Sequence, residues 1–144
     1  MKTEYRGSCH CGAIGYRFRT DLTPEQWSIR ACQCRFCRAH DALSASDPSG
    51  SVVFSVADRR LLNRYRFGLR TADFLLCREC GVYVGALIET ENGQFGIINT
   101  HTLLQSPESL ATTEPMTYDA EDVTGRVSRR EERWTPAELN LPPG

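Results

Sequence analysis

Residues 76–81 read LCRECG, and the reading of the whole chain starts from them. Cys77 and Cys80 are separated by two residues and followed by Gly81. A pair at that spacing on a tight turn offers both sulfurs to one metal ion while backbone N–H groups point at the sulfurs, and the glycine lets the turn close. One pair is half of a tetrahedral site. The other half is SCHCG at residues 8–12, where Cys9 and Cys11 are again followed by a glycine. Two such pairs complete a closed four-thiolate zinc site, and closed sites are structural as a rule. This one is expected to tie the N-terminal edge of the chain to a strand pair around residues 72–90.

The sequence holds seven cysteines, so three remain, all within CQCRFCRAH at residues 32–40. Three thiolates, Cys32, Cys34 and Cys37, fill all but one position of a zinc ion, and catalytic zinc sites keep such a position open. A dication with three thiolates carries a net charge of about -1, which makes it a poor Lewis acid for splitting water. It is better suited to holding a substrate thiol as thiolate, the reactive form of sulfur. Two other readings stay open at this stage. His40, three residues after Cys37, has the spacing to close the site as a fourth ligand, and the triplet can equally be a metal-free or oxidised cluster.

Length and composition bound the rest. With 144 residues, 40% of them apolar, the chain has the size of one domain, expected over 1–144, that buries a core without disulfide staples. A net charge of -1 and a pI near 6.3 give no basic footprint for nucleic acid. The opening MKTEYRGSCHCG lacks the apolar core of a secretory signal, and the longest uncharged apolar run, GVYVGALI, is too short to cross a bilayer. A soluble cytoplasmic protein without a membrane partner is expected, in a compartment where clustered cysteines are metal ligands more often than disulfides. A homo-oligomer is left open.

Segments 13–20, 28–34, 51–57, 62–68, 72–77, 82–90 and 94–100 alternate or cluster β-branched and aromatic residues as strands do, and ENG at 91–93 is a hairpin turn. The fold class is therefore mainly β. One or two short helices are expected: one over 35–42, and a candidate over 120–134 that Gly125 weakens. In the second, Val123, Val127 and Trp134 would form the apolar face and the arginines a solvated side.

The order GSCHCGAIGY, then CxCxxC followed by arginine, then LCRECG resembles the glutathione-dependent formaldehyde-activating family, which includes the centromere protein V type. The resemblance covers about residues 5–100, and the tail 106–144 diverges. It implies the β-tent fold of that family, small antiparallel sheets anchored on zinc, with a structural zinc on Cys9, Cys11, Cys77 and Cys80 and a catalytic zinc on Cys32, Cys34 and Cys37. The implied activity is that of a carbon–sulfur lyase of the S-(hydroxymethyl)glutathione synthase type, joining a thiol such as glutathione to formaldehyde or another small aldehyde. The competing class is a non-catalytic thiol carrier or protein-binding module scaffolded by zinc. His40 is the expected proton carrier, since a neutral imidazole accepts a proton near neutral pH. Arg35 and Arg38, interleaved with the triplet, are the expected binders of an anionic substrate. His10, His101 and the arginines of residues 59–70 read as surface or packing residues.

Overall fold

The computed structural model describes residues 2–143. In chain order its strands are β1 (Thr3–Ser8), β2 (Ile14–Thr20), β3 (Ile29–Cys32), β4 (Ser44–Ala45), β5 (Ser51–Val56), β6 (Leu62–Tyr65), β7 (Asp73–Cys77), β8 (Tyr83–Thr90), β9 (Gly93–Asn99), β10 (Thr113–Met116) and β11 (Thr135–Asn140). Two α-helices accompany them, α1 (Arg35–Ala39) and α2 (Val123–Arg133). All seven segments with a strand pattern contain strands, and both candidate segments form helices, the second in spite of Gly125. β8 and β9 are joined at the ENG turn, where Thr90 pairs with Gly93 and Gly93 takes a φ of 125°.

Hydrogen bonding runs β1-β2-β5-β11-β9-β4-β3-β10, with β8, β7 and β6 branching in that order from β9. All pairings are antiparallel except two, β10 on β3 and β11 on β5. Both parallel strands come from the tail. β11 also bridges the two regions of the sheet: Thr135 and Pro136 pair with β9, while Ala137 to Asn140 pair with β5. Neither β10 nor β11 is apolar enough to announce itself as a strand. They form because edge strands already in place offer unpaired N–H and C=O groups.

The inward residues of β2, with Ile14, Tyr16 and Phe18 at 3% exposure or less, pack with Trp27, Ile29, Val52, Phe54, Val84 and Ile98 into the main core. A second apolar cluster of Phe74, Tyr83, Ala86, Ile88, Ile97 and Trp134 also includes Cys37. This cluster sets the cysteine triplet against a dry wall. Beside it Asp73 is buried and would be pushed up by desolvation, but Arg66 and Arg64 donate to its carboxylate at 2.6 and 3.0 Å and hold it below the ordinary range. Two of the arginines between residues 59 and 70 are thus tied to a structural carboxylate.

Candidate metal centres

The four sulfurs of Cys9, Cys11, Cys77 and Cys80 lie within 4.8 Å of one another. Sγ of Cys11 is 3.8 Å from that of Cys9 and 3.5 Å from that of Cys77. A tetrahedron with Zn–S bonds of about 2.3 Å has edges of about 3.8 Å, so the quartet fits that metal. The turns are built for it. Gly12 and Gly81 follow their cysteine pairs at φ 84° and 79°, a region that an L side chain enters only with strain. Their N–H groups close the turns onto the carbonyls of Cys9 and Cys77. Further N–H groups reach the sulfurs themselves, from Ile14 to Cys9 at 3.3 Å and from Cys80 to Cys77 at 3.5 Å.

Cys32, Cys34 and Cys37 form the second group of sulfurs within 4.8 Å. Cys32 ends β3, Cys34 caps α1 by accepting the N–H of Cys37 at 3.4 Å, and Cys37 is buried one turn on. Thiol contacts from Cys32 and Cys37 hold Cys34 down to about 2, while the same thiol contacts first, with burial and the neighbouring charge added, drive Cys32 and Cys37 up. One sulfur ionises and its neighbours keep their protons, because like charges so close cannot coexist unaided. Three thiolates together require a cation between them, and this donor set suits zinc.

A cavity of about 280 Å³ opens on this cluster. Cys32, Cys34 and Cys37 line it together with Phe67 and Phe74 on one side and Arg126, Arg129 and Arg130 of α2 on the other, with Arg35 and Asp119 also facing it. Phe36, Phe67 and Phe74 stack at centroid distances of 4.7–5.0 Å. A smaller pocket of about 60 Å³ shares Cys32, Cys37, Phe74, Tyr118, Arg129 and Arg130 and adds Arg30, Tyr83 and Trp134. The Tyr83 hydroxyl is held protonated, by burial first and by the neighbouring thiols second.

The arginine face of α2 departs from expectation. Val123, expected on the apolar face, is 51% exposed, and the helix turns Arg126, Arg129 and Arg130 inward instead. Trp134 does bury, as the cap that ends the helix. Arg126 and Arg129 both bond Glu121, at 3.1 and 2.6 Å, and Arg129 lies over the Tyr118 ring at 3.6 Å. The inward face is an arginine layer organised by one glutamate and one tyrosine. No apolar period marks such a face; the sequence signal was only the clustering of four arginines within eight residues, 126–133.

Other expected residues lie elsewhere. Arg38 is exposed and does not line the cavity, whereas Arg35 does. His40 ends α1 with its ring against Phe36 and Tyr83, at 4.5 and 5.6 Å, and it is not among the clustered ligand atoms. It lines a separate open depression with Asp41, Cys80 and His101, and His101 reaches Asp41 at 3.6 Å. His10 is exposed.

A mainly β chain carrying a closed cysteine quartet and an open cysteine triplet beside a cavity belongs to the class of small domains built around paired cysteine sites. The family model described as glutathione-dependent formaldehyde-activating enzyme matches residues 4–118, and the chain belongs to that family. The match extends past residue 100, through β10 to Tyr118, and leaves α2 and β11 outside. A crystal structure of a Rhodobacter sphaeroides protein is similar at a TM-score of 0.54 and 26% identity, over 76% of this chain and 99% of that one. No curated protein matches the chain. Among the described residues no helix is long and apolar enough to cross a membrane.

Proposed function

We propose that the protein adds a small thiol to formaldehyde or another small aldehyde, giving a hemithioacetal. The observation that carries this reading is the three-sulfur cluster facing a cavity large enough for a substrate. We assign a structural zinc to Cys9, Cys11, Cys77 and Cys80 and a catalytic zinc to Cys32, Cys34 and Cys37. When bound to the triplet, the catalytic metal supplies an open coordination position and lowers the pKa of a thiol placed there.

The chain's own residues do the rest. The stacked rings of Phe36, Phe67 and Phe74 exclude water from one side of the cavity, which strengthens every electrostatic contact inside. Arg35 and the α2 arginines draw in an anionic substrate. Asp119 faces the same cavity, and we assign its carboxylate to take the thiol proton and return it to the aldehyde oxygen as the C–S bond forms. Thiol and aldehyde then add with nothing left over. His40, outside this cavity, is placed to support the helix that carries Cys37. None of the seven cysteines is in a disulfide, which suits a reducing cytoplasm.

Hemithioacetals also form without an enzyme, so the test is kinetic. Loss of free formaldehyde in the presence of glutathione or a smaller thiol, followed by NMR exchange, should be faster with zinc-loaded protein than without it. A rate unchanged by protein, alongside measurable thiol binding, would make it a thiol carrier instead.

A further inference from the structure

We propose that the thiol substrate is a compact carboxylate, with its anionic end held by Arg130 and Arg30 and its apolar body against Phe67 and Phe74. The inference rests on the thiol reading above and goes on to name the substrate's class. Arg130 is 8% exposed, and its Nε is the buried side-chain nitrogen without a hydrogen-bond partner among the described residues. The one side-chain hydrogen bond of Arg130 among the described residues runs from Nη1 to the Thr71 hydroxyl at 2.7 Å, and the Trp134 ring lies 4.8 Å from the guanidinium. Arg30 donates to the Ser46 hydroxyl at 2.6 Å, and Ser46 in turn donates to the Arg133 carbonyl. Among the described residues no ion pair of Arg30 or Arg130 is formed, whereas Arg126 and Arg129 beside them share Glu121.

A buried guanidinium with an idle N–H is costly unless an anion meets it. The charge count around the two joined pockets favours one: Arg30, Arg35, Arg126, Arg129 and Arg130 stand against Asp119, Glu121 and a metal centre of net charge about -1. A planar carboxylate matches the guanidinium fork. The cavity, about 280 Å³, falls just below the ~300–1,000 Å³ usual for drug-sized ligands, so the ligand is small. Arg130 lies on α2, beyond the residues that match the family. The Arg130 half of the anion site is therefore supplied by the chain's tail, and the Arg30 half by β3 within the matched region.

Calorimetric titration of the zinc-loaded protein with 3-mercaptopropionate, its neutral amide and the thiol-free 3-phenylpropionate tests this. The acid should bind at least ~10-fold more tightly than the amide, as expected for a charge-assisted hydrogen bond. Arg130→Met should abolish that preference; Arg130→Lys, which keeps the charge and the bulk, should retain part of it and shows that the fold survives. Equal binding of acid and amide by the wild-type protein, or a preference that persists in both Arg130→Met and Arg30→Met, would overturn the proposal. Arg130-dependent binding of 3-phenylpropionate with no binding of either thiol would support the anion site while rejecting the thiol reading.

Discussion

Cys80→Ser should yield an unfolded or insoluble chain that holds no structural metal. Cys80 closes the quartet that joins the turn after β1 to the turn after β7, two stretches more than 60 residues apart in sequence; Cys11 and Cys77 alone are 66 apart. Structural zinc contributes on the order of 10 kcal/mol, comparable with the ~5–15 kcal/mol that separates a folded domain from its unfolded chain. Without its fourth thiolate the site has no other sulfur within reach, because the remaining three cysteines belong to the triplet. Circular dichroism and metal analysis check this. A cooperative melt within a few degrees of wild type would show that the quartet does not hold the fold.

Cys34→Ser should do the opposite, leaving the fold and removing the chemistry. Cys34 is half-exposed and its local duty is to cap α1 by accepting the Cys37 N–H. Serine is among the best residues at that position, so the helix keeps its cap. The metal loses one of three thiolates. Any acceleration of thiol addition should fall ~100-fold or more, the scale on which nucleophile activation and proton transfer act, and the protein should retain one metal ion where wild type holds two. Equal thermal damage in Cys34→Ser and Cys80→Ser would mean that the two clusters do not divide structure from catalysis.

The grouping of the cysteines into a quartet and a triplet was legible in the sequence, because cysteine spacing restricts where the sulfurs can meet. CxC, CxCxxC and CxxC place sulfurs through short covalent paths and tight turns, and Gly12 and Gly81 mark where the turns close. The strands from residue 13 to 100, apart from the two-residue β4, were legible for a similar reason, since alternation of buried and exposed residues is a local signal. The tail was not. β11 reads TPAELN and β10 reads TEPM, and both form only because β5, β9 and β3 present them with partners. The arginines of α2 looked like a solvated face. A charged stripe turned to solvent and one turned towards a cavity have the same sequence; what separates them is the hold on the arginines by Tyr118 and Glu121, just before the helix, and by Trp134 at its end. His40 has ligand spacing from Cys37, but the ring is drawn towards Phe36 and Tyr83.

The central claim is that the triplet is open at one corner and that the missing ligand is a thiol. The visible and near-ultraviolet spectrum of cobalt-substituted protein, titrated with 3-mercaptopropionate or glutathione, tests it most directly. A fourth sulfur entering the sphere should raise the sulfur-to-cobalt charge-transfer bands in wild type and in His40→Ala alike, and the change should be lost in Cys34→Ser. If His40 closed the site, only His40→Ala would respond. Spectra that ignore thiol in both proteins would contradict the claim.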